Sequence, residues 1–112
     1  FKKKQPQEEL QEFSTNFDSN MVRPFLYRIQ PFFEAGFGPE QVDQICQLVA
    51  TLPHDQERTL EFQVHCGGQP SAFQVHVFMD DIDAPDIYFF SSVGLTQKIR
   101  NAFTSVAEER GL

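Results

Sequence analysis

Two runs of alternating apolar and polar residues, separated by a Gly-rich segment, constrain the fold of this chain most. In residues 60–66 (LEFQVHC) the even positions are apolar, and in residues 73–79 (FQVHVFM) the odd positions are apolar. A period of two is typical of a half-buried β-strand. Residues 67–70 (GGQP) lie between the runs, so the sequence predicts a β-hairpin with a four-residue loop in which Phe62 faces Val75.

This hairpin should have one apolar and one polar face. The apolar face should be buried, and it comprises Leu60, Phe62, Val64, Phe73, Val75 and Val77. The opposite face carries Glu61, Gln63, His65, Gln74 and His76. The predicted register places Glu61 opposite His76, where the two side chains would form a cross-strand ion pair.

A third strand is predicted from Ile87 to Ser92. Ile87 and Phe89 would lie on one face of the sheet, and Tyr88 and Phe90 on the other. Apolar residues on both faces are typical of a central strand, or of one whose outer face contacts something else.

Helical periodicity dominates the first half of the chain and the C-terminus. Apolar residues at spacings of three and four predict a helix that begins at Pro6 and has the stripe Leu10, Phe13, Phe17 and Met21. Residues 18–20 (DSN) could break this run and cap a second helix. A second helix would contain Phe25, Leu26, Ile29, Phe32 and Phe33, with a kink at Pro31 and an end at Gly36. A third would begin at Pro39 and end before Pro53, and a fourth would follow Ser92 and end at Gly111.

The order of these elements predicts an α+β fold. We expect a three-stranded antiparallel sheet with N-terminal helices and a C-terminal helix, mainly packed on one sheet face. At 112 residues the chain should form a single domain, 1–112, with residues 1–6 as a flexible tail that contains three lysines.

Composition narrows the classes of function. The net charge of −7 argues against binding to nucleic acid, and no apolar run reaches the roughly 18 residues of a membrane span. Two cysteines without close spacing indicate free thiols and no disulfide framework. We therefore expect a cytoplasmic protein that binds neither nucleic acid nor membrane.

The segment Asp80–Asp86 (DDIDAPD) contains four aspartates. A calcium-binding EF-hand loop starting at Asp81 would need an oxygen ligand at its fifth position, Gly at its sixth and Glu at its twelfth, but Pro85, Asp86 and Ser92 stand there. Aspartates also accept hydrogen bonds from nearby backbone amides and stabilise turns. We therefore interpret the segment as an acidic turn without an essential metal. A site that binds a cation weakly is the alternative, and a metal-dependent enzyme built on the segment is weaker still.

Other candidate sites are less well supported. His65 and His76 share a face with Glu61, but the predicted register separates the two histidines by about 13 Å, too far for one zinc ion. Cys46 lies on an apolar helical stripe, and no serine lies in a G-x-S-x-G motif. The sequence therefore predicts no catalytic residue, metal site or cofactor.

The abundance of aromatic residues favours an interaction domain. There are 13 Phe, and Phe17, Phe37, Phe78, Tyr88 and Phe90 are hard to place together in so small a core. We predict a non-enzymatic protein-interaction domain, such as an adaptor, a chaperone-like protein or an inhibitor, that binds a basic protein or a second copy of itself. The candidate interaction residues are Phe78, Asp81, Asp83, Asp86, Tyr88 and Phe90. The alternative is a small-molecule binder with a Phe-lined pocket between sheet and helices.

Overall fold

The computed structural model describes residues 10–111 and confirms the α+β class. The strands are β1 (Gln11–Asn16), β2 (Glu57–Cys66), β3 (Gln69–Phe78) and β4 (Asp86–Ser91), and the helices are α1 (Val22–Ile29), α2 (Pro39–Thr51) and α3 (Val93–Glu109). Two short 3₁₀ helices, Ser19–Met21 and Gln30–Phe32, flank α1. The four strands form one antiparallel sheet in the order β1-β4-β3-β2. None of the helices within residues 10–111 is long and apolar enough to cross a membrane.

The fourth strand, β1, corrects the predicted helix that begins at Pro6. The structure has a strand at Gln11–Asn16 instead, paired along its whole length with β4. Phe13 is buried opposite Phe89, so the aromatic residue that fits a helical stripe points into the core from a strand. Pairing with β4 outweighs the local period, and the sheet has four strands where three were predicted. The predicted tail, residues 1–6, lies outside the described residues.

The predicted hairpin is present, but its loop is shorter than expected. Gly67 and Gly68 form a two-residue turn, and both have positive φ (62° and 78°), as a type I′ turn requires. The register is therefore shifted by two residues, and Phe62 faces Phe73 instead of Val75. A shift of two keeps every side chain on its predicted face, so Phe62, Phe73 and Val75 are buried as expected.

Three of the four predicted helices are present, although the first of these is shorter than expected. The helix α2 begins at Pro39 and ends at Thr51, before Pro53. The helix α1 ends at Ile29, and the chain continues as a 3₁₀ turn around Pro31 where a kinked helix was expected. Ser92 occupies the N-cap position of α3, although its side chain makes no capping hydrogen bond.

Most of the aromatic rings lie in one core between the sheet and the helices. The buried phenylalanines are Phe13, Phe17, Phe25, Phe33, Phe37, Phe62, Phe73 and Phe89. Phe73 is fully buried at its centre, with ring centroids 5.0 Å from Phe33 and 5.3 Å from Phe37. Phe17 and Phe37 are only 1% and 4% exposed, so these two of the five rings that were hard to place together lie in the core.

A short segment before α2 covers part of the β2 edge. The Glu34 amide donates to the His65 carbonyl (2.7 Å), and the His65 amide donates to the Ala35 carbonyl (2.9 Å). The Glu34 carboxylate also accepts a hydrogen bond from the Gly68 amide in the hairpin turn (3.0 Å). These contacts hold the loop between α1 and α2 against the end of the hairpin.

Candidate binding face

The sheet has an outer face, on the side away from the helices, that the described part of the chain leaves uncovered. The strand register arranges its central side chains in three rows, each ordered β1, β4, β3, β2. The rows are Glu12–Phe90–Gln74–Glu61, Ser14–Tyr88–His76–Thr59 and Asn16–Asp86–Phe78–Glu57. We call these twelve residues the outer face.

Aromatic rings occupy the two central strands of the outer face. Tyr88 and Phe90 are the neighbouring outward-facing aromatic residues of β4, and Phe78 lies on β3; all three are half-buried. The His76 ring lies beside Tyr88, with centroids 5.6 Å apart and an angle of 66° between the ring planes. Because Ile87 and Phe89 fill the core on the other side, β4 is apolar on both faces, as predicted for a central strand.

Four carboxylates surround these rings, and each accepts a hydrogen bond from a neighbouring side chain. The pairs are Ser14–Glu12 (2.7 Å), Asn16–Asp86 (2.9 Å), Gln74–Glu61 (2.9 Å) and His76–Glu57 (2.8 Å). These twelve positions contain no Lys or Arg. The outer face therefore combines an apolar centre with an acidic rim.

His76 is held through both ring nitrogens. Its Nε2 lies 2.8 Å from a Glu57 carboxylate oxygen, and its Nδ1 lies 2.6 Å from the Thr59 hydroxyl. An ionised carboxylate only accepts, so Nε2 carries a hydrogen and donates it. The predicted ion pair with Glu61 was wrong, because the two-residue shift in register places Thr59 opposite His76 and gives Glu61 to Gln74.

The outer face encloses a shallow cleft of about 460 Å³ to which all four strands contribute. Its lining comprises Glu12, Glu57, Thr59, Gln74, His76, Phe78, Tyr88 and Phe90. A cleft with three aromatic rings, a fixed imidazole and carboxylates at its border is suited to binding, because the rings present apolar area and the border presents negative charge.

The acidic turn lies apart from this cleft. The Asp81 carboxylate accepts a hydrogen bond from the Asp83 amide (3.0 Å), so this aspartate has the predicted turn-stabilising role. The carbonyls of Asp83 and Pro85 accept from the amides of Ser19 and Phe17 (2.9 Å each), so the turn is attached to the segment before α1. Within residues 10–111 no group of three or more His, Cys, Asp or Glu side chains is arranged to hold a metal ion.

A second groove, of about 340 Å³, runs between this turn and the helices α1 and α2. The pKa of Arg23 at its border is raised, chiefly by a hydrogen bond to Asp43 (2.8 Å). Burial raises the pKa of the Cys46 thiol, and the nearby Arg23 only partly offsets this effect. The thiol is thus kept protonated, which makes it a weak nucleophile.

The structure brings together four of the six predicted interaction residues. Phe78, Asp86, Tyr88 and Phe90 lie on the outer face, whereas Asp81 and Asp83 belong to the separate turn. Three of the four rim carboxylates were not among the predicted interaction residues. Glu61 was placed on this face only as a partner of His76, and the other two were not placed on it at all. Glu12 was assigned to a helix, and Glu57 precedes the alternating run, although both fit the period of two once β1 and β2 are recognised as strands.

No family model, curated protein or solved structure matches this chain.

Proposed function

We propose that this chain is a non-enzymatic protein-interaction domain that binds its partner through the outer face. The observation that carries the proposal is the half-buried cluster of Phe78, Tyr88 and Phe90 on a sheet face left uncovered by residues 10–111, inside a rim of carboxylates. Protein interfaces share this anatomy, since an apolar aromatic centre is desolvated on binding while a charged rim remains in contact with water.

The size of the face fits the centre of an interface. Across the four strands the outer face spans three strand spacings, or about 14 Å. Along the strands its first and third rows are four residues apart, which is also about 14 Å. A stable interface buries roughly 800 Å² on each partner, so contacts must extend beyond these twelve residues. The aromatic cluster would then act as the group of residues that contributes most of the affinity.

The charge of the face favours a basic partner over a second copy of the chain. Pairing two outer faces would bring eight carboxylates together without any Lys or Arg from either face, and like charges in contact disfavour association. A basic partner removes this repulsion and is attracted from a distance.

Other features of the site support binding over catalysis. His76 uses both ring nitrogens within the face, so neither is free to serve as a general base.

The core phenylalanines contact one another, with centroids 4.9 Å apart for Phe33 and Phe37 and 5.1 Å apart for Phe17 and Phe25. Rings packed in this way favour a filled core over the alternative of a Phe-lined ligand pocket.

The test compares two pairs of substitutions. The purified chain is immobilised and used to recover proteins from a lysate, with and without Tyr88→Ser and Phe90→Ser. The control changes Tyr27 and Ile82 to Ser, because these large apolar side chains are exposed (42% and 67%) but lie elsewhere on the surface.

We expect the outer-face pair to abolish recovery of a specific partner and the control pair to retain it. Circular dichroism must show that both variants are folded. If the outer-face pair unfolds, Glu12→Gln with Glu61→Gln is the substitute, because both side chains are exposed and Gln keeps their hydrogen-bonding capacity. Equal recovery by the folded outer-face and control variants would refute the proposal.

A further inference from the structure

We infer that the outer face binds an amphipathic α-helix of the partner, with Lys or Arg side chains on both sides of its apolar stripe. This inference rests on the proposed function, which requires a partner but leaves its structure open. It follows from three properties of the face: its engaged polar groups, its dimensions and the positions of its carboxylates.

The polar side chains of the outer face already bind one another. Hydrogen bonds join Glu12 to Ser14, Asn16 to Asp86, Gln74 to Glu61, and His76 to both Thr59 and Glu57. An extended segment lying across this face would therefore find few partners for its backbone N–H and C=O groups, and unpaired polar groups are costly to bury. A helix pairs its own backbone and needs only a complementary surface for its side chains.

The dimensions also suit a single helix. Glu12 on β1 and Glu61 on β2 lie in the same row at opposite edges of the sheet, three strand spacings or about 14 Å apart. A helix with its side chains is about 10–12 Å across, so one helix fits between these edges. The four-residue separation of rows one and three, about 14 Å, corresponds to roughly nine helical residues.

The carboxylates define which helix fits. A helix running along β3 and β4 would cover Tyr88 and Phe90, with Glu12 on one flank and both Glu57 and Glu61 on the other. Cationic side chains are therefore favoured on both flanks of its apolar stripe. Long Lys and Arg side chains reach such rim positions while their aliphatic portions cover apolar surface.

Three peptides test the inference on the full chain. The first is a Leu/Lys helix of about 14 residues, roughly four turns, with one Trp in its apolar stripe. The second has the same composition in an order that forms no stripe, and the third replaces Lys with Glu. The chain contains no Trp, so the Trp fluorescence of the mixture comes only from the peptide, and its change on adding the chain reports binding. We expect the first peptide to bind at least about tenfold more tightly than the others, since only it matches both the apolar centre and the rim.

Charge variants locate the binding surface. We expect Glu12→Gln with Glu61→Gln to weaken binding of the first peptide about fivefold at low salt, because both charges flank the helix. The control, Glu40→Gln with Glu108→Gln, removes two exposed charges from α2 and α3 and should change binding less than about twofold. Backbone amide shifts in NMR spectra should centre on His76, Tyr88 and Phe90.

Several results would overturn the inference. Equal binding of the first two peptides would show that charge alone is recognised, and equal loss in both charge variants would show that no particular face is used. Shifts centred on the groove between α1 and α2 would place the helix elsewhere. If the lysate partner still depends on Tyr88 and Phe90 while the first peptide fails to bind, the helix inference falls and the proposed function stands.

Discussion

Gly36 approaches the backbone of Gln63 so closely that a Cβ at position 36 would lie 2.2 Å from the Gln63 carbonyl oxygen and 2.8 Å from the Cα of Val64. Gly36 also has φ of +91°, in the left-handed region that side chains disfavour. This contact holds the loop before α2 against β2, next to the backbone hydrogen bonds of Glu34 and Ala35.

We expect Gly36→Ala to destabilise the fold by about 3 kcal/mol or more. The left-handed conformation alone costs a residue with a Cβ roughly 1–2 kcal/mol, and the clash adds to this because it involves backbone atoms. Gly94→Ala is the matched control: apart from its chain neighbours and the backbone of α3, no atom of residues 10–111 lies within 4 Å of its Cβ position, so it should stabilise by about 0.5–1 kcal/mol. Urea unfolding measures both, and an unchanged midpoint for Gly36→Ala would contradict the described contact.

Phe73→Ala should cost about 3–5 kcal/mol, the range for removing a buried aromatic side chain. Phe73 is fully buried, and its ring contacts Phe33, Phe37 and Phe89. Phe78→Ala on the same strand should cost clearly less, since Phe78 faces outward and is only half-buried. The comparison is made by denaturant unfolding. Equal losses would mean that the outer ring belongs to the core, which would also weaken the proposed function.

The double change Asp81→Asn and Asp83→Asn should leave the fold and its stability nearly unchanged. Asn retains the side-chain oxygen that accepts from the Asp83 amide, and the loss of two like charges slightly favours folding. Asp81→Ala lacks that oxygen and should cost about 0.5–1.5 kcal/mol. Thermal unfolding separates the two variants. Tight calcium or magnesium binding by calorimetry, lost in the double variant, would show that the turn is a metal site.

The contribution of the Arg28–Glu109 pair should depend on pH. Arg28 donates a hydrogen bond to Glu109 (2.6 Å), and this contact holds the pKa of Glu109 below its ordinary value of 4.5. A depressed folded-state pKa adds stability above the ordinary pKa, and this stability is lost as the pH falls through the folded-state value. Both side chains are largely exposed, so the effect should be small and sensitive to salt.

A double-mutant cycle of Arg28→Gln and Glu109→Gln measures that coupling. We expect a coupling energy near neutral pH that disappears well below the ordinary pKa of a glutamate. A coupling that persists in acid would indicate that packing between α1 and α3, and not the charge pair, is responsible.

Local patterns predicted the hairpin, but not the position of β1. Alternation in residues 60–66 and 73–79 is visible within each segment, so both strands and their buried faces were correctly predicted. The spacing of Phe13 and Phe17 fits a helix equally well, and only pairing with β4, some seventy-five residues away, selects a strand. Sequence periodicity contains no information about such a distant partner.

The hairpin register and the rim residues could be predicted only in part for the same reason. The hairpin could have been joined by a four-residue loop that includes Pro70 or by a two-residue turn at Gly67 and Gly68. Both connections place the same side chains on the same face, so the alternation of apolar and polar residues cannot distinguish them. In the structure Pro70 lies within β3 but beyond the part paired with β4, which starts at Gln74, so its missing N–H disrupts no bond to β4. The period of two was enough to predict that Tyr88 and Phe90 lie on the same face of their strand. The position of Glu12 in the rim could be predicted only if β1 was recognised as a strand.

The strand order has a consequence for how the chain acquires its shape. β2, β3 and β4 are consecutive in sequence and adjacent in the sheet, so they can associate through short connections as soon as they are synthesised. The strand β1 precedes its partner β4 by some seventy-five residues, so their pairing must wait for β4 and must close a loop over most of the intervening chain. Until then the edge of β4 is unpaired and Glu12 is absent from the rim. The surface proposed to recognise a helix is therefore completed only when β1 pairs with β4.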